Sequence, residues 1–236
     1  QALVKMLMEM YGSIDKLNSA LQIKLNSFDD LLAISNLSIM QSLSPPALEI
    51  KKIRSDFLKK VAEQYFMVCK DAIRKFDHNH LILGCRFAGY APVEVLGAMS
   101  DYVDIVSYNN YSQTAPIDRL DEINKITGKP IMITEFSFKA MDSGLPNTKG
   151  AGVPVATQED RADGFADYIE AFMKMPYAVG YHWFEHTDEP AEGRFDGENS
   201  NYGLVNIKDE PWQVLVTKMT EVNAKIDLMH NTASVK

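Results

Sequence analysis

The segment 129–136 constrains the fold of this chain more than any other part of its sequence. Gly128, Lys129 and Pro130 form a turn signal, and the apolar and β-branched residues that follow end at Glu135. A short run of this kind after Gly and Pro predicts a strand buried on both faces. A carboxylate at the C-terminal end of such a strand lies where parallel-sheet proteins build active sites, although it can also cap a loop.

Three further segments share this pattern, because each is apolar along its length and polar at its C-terminal end. They are residues 81–87, which end at Arg86 and Phe87; residues 102–108, which lead into Asn109, Asn110 and Tyr111; and residues 179–186, which end in Trp183, Phe184, Glu185 and His186. This asymmetry predicts parallel strands with helices outside and a site at one edge.

The segments between these strands have helical spacing of apolar residues. Helices are predicted over Ile53–Phe76, over Pro116–Ile126 with Gly128 as C-cap, over Arg161–Met173 behind a capping box at Thr157 and Asp160, and after Pro211. Strand and helix therefore alternate four times, which places the chain in the α/β class.

The first eighty residues contain no convincing strand. Short helices are predicted over Ala2–Met10, over Ser13–Leu21 and from Ser27, whereas Ile34–Met40 alternate weakly before a break at residues 42–46. A complete (β/α)8 barrel of TIM type needs about 250 residues with strands throughout. We therefore expect a helical segment at 1–80 and, at 81–236, only the C-terminal half of such a barrel, four β/α units.

Composition excludes several functions. The chain has 236 residues and a net charge of −8, which disfavours nucleic acids and anionic membranes as partners. No apolar run is as long as a membrane span, and no signal peptide is visible, but the chain begins at Gln1. Localisation therefore stays open between cytoplasmic and, after removal of a leader, secreted or periplasmic. Cys69 and Cys85 are predicted to be buried thiols.

Several motifs, taken in order, resemble retaining glycoside hydrolases of clan A, most closely agarases and the related β-galactosidases. The resemblance covers roughly the last two thirds of the chain. It rests on residues 131–136 as a seventh strand, on His182, Trp183 and Phe184 as the eighth, and on the loop residues 193–199 and 201–205. Residues 11–18 resemble the segment after the catalytic Asn-Glu pair of β-galactosidases.

The resemblance implies specific roles. Glu135 is the expected nucleophile, and a retaining mechanism needs a second carboxyl about 5–5.5 Å away. Tyr111 is expected to orient the nucleophile, and Trp183 to stack against a sugar ring. The other expected sugar contacts are Asn109 and Asn110, together with Arg86, Glu185, His186 and Asp188; each of these last four could equally form a salt bridge or lie in solvent as a loop charge. His182 is expected in the core or behind the site.

The chain departs from this family at the acid/base, because no Asn-Glu pair follows a predicted strand. Two functions therefore compete: a retaining glycoside hydrolase, or its C-terminal half, acting on a galactose-containing saccharide such as agar; or an inactive half-barrel that only binds carbohydrate or serves in assembly. An aldolase or phosphate binder is disfavoured, since no strand ends in lysine and no Gly-rich loop follows the last strand.

No cofactor is expected, and no metal site either, since His78 and His80 lack carboxylates at ligand spacing. Four parallel strands cannot close a barrel, so the edges near Leu81 and Val179 and the inward residues Val106 and Ile133 are expected to be exposed. A homodimer that pairs these open edges is the favoured solution, with coverage by the N-terminal helices as the alternative.

Overall fold

The structure is a computed structural model that describes residues 1–33 and 47–233. Its N-terminal part is helical, with α1 at Ala2–Tyr11, α2 at Ile14–Leu21, a 3-10 helix at Phe28–Ala33 and the long α3 at Ala47–Arg74. The helix predicted over Ser13–Leu21 begins one residue later, at Ile14, with Ser13 as its N-cap. The weak alternation at 34–40 and the break at 42–46 lie outside the described residues.

A three-stranded parallel sheet occupies the centre of the remaining chain. Its strands are β1 at Val106–Asn109, β2 at Ile131–Phe136 and β5 at Ala178–Trp183, in the spatial order β1-β2-β5. The register pairs Asn109 with Glu135 and Phe136 with Trp183. Parallel strands share one C-terminal edge, so the polar ends predicted from the sequence meet there.

The fourth predicted strand, 81–87, is wrong as a regular strand. Only Phe87 forms a β-bridge, to Tyr108, although the Ile82 carbonyl accepts a hydrogen bond from the Asp104 N–H. Gly84 adopts a φ of 69°, a left-handed conformation that interrupts extended backbone. The segment therefore lies beside β1 without continuing the ladder.

Five further helices flank the sheet: α4 at Val93–Met99, α5 at Ile117–Thr127, α6 at Gln158–Met173, α7 at Gln213–Asn223 and α8 at Ile226–Ala233. Gly128 ends α5 in a left-handed conformation, and the capping box of Thr157 and Asp160 opens α6, both as predicted. The sequence missed α4 and a small parallel sheet of β3 at Phe138–Ala140 and β4 at Val153–Val155.

Two hydrophobic cores hold these elements. The smaller joins α1, α2 and the start of α3, and the larger packs the helices of the β/α part against the central sheet. Val106 and Ile133 are both fully buried in the larger core, so the expectation that the inward face exposes them is wrong. Helices and neighbouring strands already cover both side chains.

Strand β5, at the edge of the sheet, is less buried than the other two strands. Val179 is 49% exposed, and His182 is exposed as well, which contradicts its expected position in the core or behind the site. Successive side chains of a strand alternate between faces, and β5 presents part of its surface to solvent. The architecture over the described residues is thus mixed α/β with a small parallel sheet that does not close into a barrel.

Within the described residues, no helix is long and apolar enough to cross a membrane.

Candidate active site

Glu135 lies near the C-terminal end of β2, and two donors hold its carboxylate. Arg86 Nη1 donates to Oε1 at 2.6 Å, and the Tyr111 hydroxyl donates to Oε2 at 3.0 Å. The Glu135 side chain is 19% exposed, whereas that of Arg86 is 53% exposed. The partly buried carboxylate is therefore paired and aimed, while one edge of the cluster remains open to a ligand.

Tyr111 is suited to act as a hydrogen-bond donor. Burial, followed by the negative charge of Glu135 and the hydrogen bond to it, raises the pKa of the Tyr111 phenol far above its ordinary value. The hydroxyl therefore stays protonated across the physiological range. Its ring meets Phe184 edge to face at 6.3 Å between centroids, which links the β1 end to the segment after β5.

Asn109 and Asn110 brace the end of β1. The buried Asn109 accepts a hydrogen bond from the Thr134 hydroxyl at 2.8 Å through Oδ1. The backbone N–H of Asn110 donates to the Glu135 carbonyl at 2.8 Å, and its Oδ1 accepts from Tyr168 at 2.9 Å. The Asn109 side chain and the Asn110 backbone thus hold the end of β1 against β2, a function that their predicted role as sugar contacts did not include.

Trp183 lies at the end of β5, next to Phe136 of β2. Its indole N–H donates to the Tyr202 carbonyl at 2.8 Å, and its ring packs edge to face against Phe136 and Phe165. The Arg161 guanidinium lies 5.5 Å from the ring centroid. The ring is thus rigidly held but partly buried, so only part of its surface is left for a sugar.

Asp188 and His186 differ sharply in environment. Asp188 is 5% exposed, and its carboxylate accepts hydrogen bonds from Asn201 Nδ2, the Gly203 N–H and Trp212 Nε1. This internal network does not favour the sugar contact predicted for Asp188, and it organises residues 188–212 instead. His186 is exposed, and its carbonyl accepts from Leu204 and Val205.

An arginine that sequence reasoning did not single out organises the loop after β5. Arg194 donates to Glu189 at 2.7 Å and to Asp196 at 2.9 Å, and its Nη2 lies 3.1 Å from Glu198. Its Nη1 lies 3.7 Å from Glu185. The only signal in the sequence is a single basic side chain among the acidic residues of 185–198.

Glu185 is the carboxyl most affected by this cluster. Burial, followed by a hydrogen bond to Glu189 and the negative charge of Glu189, raises the pKa of Glu185 to about 7, although Arg194 opposes the shift. Glu185 Oε1 is buried and has no hydrogen-bond partner among the described residues. The group therefore changes protonation near neutral pH, in contrast to an ordinary surface glutamate.

The sheet edge thus brings together a carboxylate, a guanidinium and a phenol, next to aromatic and amide side chains. A carboxylate fixed by a cation and a phenol can approach an electrophilic carbon, and the neighbouring aromatic and amide groups can hold a polar ligand. Among the described residues no cluster of histidine, cysteine and acidic side chains could hold a metal ion.

Comparison with known proteins relates the chain to glycoside hydrolases, and specifically to β-agarases. The chain is 33% identical over 233 residues to β-agarase B of Vibrio sp. (strain JT0107), covering 97% of the chain and 23% of the relative. It is 38% identical over 170 residues to β-agarase A of the same strain, covering 69% of the chain and 17% of the relative. No protein-family model matches the sequence.

Comparison with solved structures also relates the chain to β-agarases. The structure superimposes on that of an exo-β-agarase with a TM-score of 0.89 and 36% sequence identity, over 98% of this chain and 30% of the other. The chain is therefore homologous to β-agarases and resembles a glycoside hydrolase. It spans less than a quarter of the length of the two Vibrio relatives.

Proposed function

We propose that this chain forms the nucleophile-bearing half of a retaining glycoside hydrolase that acts on agar or a related galactose-containing saccharide. The observation that carries the proposal is the pair of hydrogen bonds from Arg86 and Tyr111 to Glu135, at the end of a parallel strand. Homology to β-agarases supports the substrate class.

In the proposed reaction a Glu135 oxygen attacks the anomeric carbon of the sugar. The bond from that carbon to the leaving oxygen breaks, the leaving oxygen takes a proton from a general acid, and a glycosyl ester of Glu135 forms; water then releases the sugar. Tyr111 and Arg86 fix the direction of the carboxylate, so less orientational freedom is lost on reaching the transition state. The guanidinium keeps further N–H donors for a sugar hydroxyl.

The remaining predicted site residues would form the sugar-binding surface. Trp183 would offer its free surface to a pyranose, and Asn109, Asn110, Glu185 and His186 lie at or beyond the ends of neighbouring strands. Asp188 would contribute indirectly, since its hydrogen bonds hold the loop that follows β5.

In the same proposal residues 81–236 form the last four β/α units of a TIM-type barrel, with the irregular segment 81–87 in the place of the first strand, and residues 1–80 form a helical lead-in. The small core that joins α1, α2 and the start of α3 supports this division, although Ala62 and Phe66 of the same helix pack in the larger core. The acid/base carboxyl would come from another part of a longer polypeptide, since no Asn-Glu pair of this chain follows a strand. A general acid contributes about 10²–10⁴-fold in rate, so we expect little hydrolysis of unactivated substrates by these 236 residues.

The alternative function is a unit that binds carbohydrate without catalysis, and the missing acid/base favours it. The two functions are separated by a substrate whose leaving group needs no acid. A 2,4-dinitrophenyl 2-deoxy-2-fluoro-galactoside should release about one equivalent of dinitrophenolate per chain, because the glycosyl ester forms but hydrolyses slowly. The Glu135→Gln variant should release none. A parent chain that binds galactosides yet shows no such burst would be a binding unit only.

We also propose that two copies pair through the exposed edge near Val179, which remains half exposed. Multi-angle light scattering should then show a mass near twice 26.5 kDa. A monomer at high concentration would contradict this pairing and favour coverage by other parts of the chain.

A further inference from the structure

The loop that follows β5 carries an aromatic side chain with no packing role. Phe195 is 98% exposed, more than any other large hydrophobic residue of the described chain. Single exposed hydrophobic residues are common at protein surfaces and need no special explanation. Phe195 differs because the backbone that presents it is held unusually firmly.

Arg194 fixes the loop immediately beside Phe195. Its side chain pairs with Glu189, Asp196 and Glu198, while its backbone N–H donates to the Glu198 carbonyl at 2.9 Å and its carbonyl accepts from the Gly197 N–H at 2.8 Å. Bonds on both sides of residue 195 leave its backbone little freedom. An aromatic ring on such a support loses little entropy when a ligand covers it.

The Asn199 side chain ties the same loop to residues 148 and 149. Asn199 Oδ1 accepts hydrogen bonds from the backbone N–H groups of Thr148 and Lys149 at 3.0 and 3.1 Å. Gly197 has a φ of 86°, and a Cβ there would lie 2.9 Å from Lys149 Nζ. The positive φ disfavours a larger residue at Gly197, and the hydrogen bonds to Asn199 help to hold the loop in the position that leaves Phe195 exposed.

The loop belongs to the edge of the sheet that carries Glu135. The Arg194 guanidinium lies 5.8 Å from the Phe184 ring centroid and 5.9 Å from that of Phe195, and Phe184 in turn contacts Tyr111. A series of contacts through Tyr111, Phe184 and Arg194 therefore connects Glu135 to the exposed ring of Phe195. A polymer bound at Glu135 and extending over this edge would meet Phe195.

The charge around Phe195 restricts the ligand. Residues 185–198 contain six carboxylates and one arginine, and the whole chain has a net charge of −8. Such a surface repels sulfated or uronic saccharides, whereas a neutral sugar meets an aromatic face flanked by acceptors for its hydroxyl groups.

We propose that Phe195 is a stacking platform for an uncharged pyranose of a polysaccharide chain, at a position removed from the bond that Glu135 attacks. This subsite rests on the proposed function, because it adds affinity for a polymer held by the same edge. It predicts that long neutral chains bind more tightly than a short saccharide that reaches only Glu135, and that Phe195 accounts for the difference.

The test is affinity electrophoresis of the 236-residue chain in native gels that contain increasing agarose. Phe195→Ala should raise the apparent Kd for agarose about twofold to tenfold, as expected for loss of one aromatic contact. Phe195→Tyr should retain parent affinity. Phe76→Ala is the matched control, since Phe76 is 91% exposed but follows α3 rather than a strand end. A sulfated galactan should retain none of these proteins.

Equal retention of the parent and Phe195→Ala would overturn the subsite, as would a parent that agarose does not retain although dinitrophenolate is released. The latter result would leave the proposed function intact, whereas absence of both retention and release would overturn both. A change in oligomeric mass on Phe195→Ala without a change in retention would assign the ring to a contact between copies and refute the subsite.

Discussion

Replacing Glu185 by glutamine should stabilise the protein above neutral pH and have little effect in acid. The folded chain raises the pKa of this carboxyl from 4.5 to about 7, first through burial and then through Glu189. A group with a raised folded-state pKa binds more protons in the folded than in the unfolded state, so its contribution to stability falls as pH rises from about 4.5 to about 7. Glutamine removes that loss because it cannot ionise.

The size of the effect follows from the shift. At about 1.4 kcal/mol per pKa unit, the full shift corresponds to roughly 3–4 kcal/mol. The Glu185 side chain is 32% exposed, so solvent screening reduces this figure, and we expect about 1–2 kcal/mol near pH 8. In a domain of this size each kcal/mol moves Tm by about 2–4 °C.

Urea unfolding at about pH 5 and about pH 8 measures the difference. Glu192→Gln is the matched control, since Glu192 lies in the same loop but is exposed. The gain on Glu185→Gln should grow between the two pH values, while the control stays flat. A gain that is equal at both pH values, or a loss at the higher one, would refute the assignment of a buried, proton-binding carboxyl.

Two further predictions test the site and the fold. Tyr111→Phe removes the hydroxyl that donates to Glu135 Oε2, so release of dinitrophenolate should slow by about 10–100-fold without a change in Tm. An unchanged rate would show that Tyr111 does not contribute to the reaction. Gly84→Ala should lower the free energy of unfolding in urea by about 1–3 kcal/mol, because φ is positive there and the new Cβ would lie 3.0 Å from Val103 Cγ1. The control is Gly97→Ala, in α4 with open space around it, which should be neutral or stabilising. Equal effects of the two substitutions would contradict the strain at Gly84.

The sequence predicts those parts of the fold that depend on local patterns. The turn signal and apolar run before Glu135 predict β2, and the capping box at Thr157 predicts the start of α6, because both depend on neighbouring residues. The segment 81–87 has the same apolar pattern but fails as a strand, since one left-handed glycine outweighs its β-branched and aromatic neighbours.

The site was predicted in part for the same reason. Strand-end polarity places Arg86, Tyr111 and Glu135 at one edge, but only the folded backbone shows which atoms pair. Arg161 shows more clearly what local patterns do not predict. It lies in a helix that is predicted to be amphipathic, yet it is fully buried and donates to the carbonyls of Phe138 and Gly203. Hydrogen bonds that pair a buried charge with residues far along the chain leave no pattern in the spacing of neighbouring residues.

The most direct test of the central claim is mass spectrometry of the chain after reaction with the fluorinated dinitrophenyl galactoside. Trypsin should release residues 126–139 as one peptide, since Lys129 precedes proline, and Glu135 is its only acidic side chain. We expect this peptide to gain the mass of one fluorogalactosyl group and the Glu135→Gln variant to remain unlabelled. Labelling of any other peptide, or none in a chain that binds the reagent, would contradict Glu135 as the nucleophile.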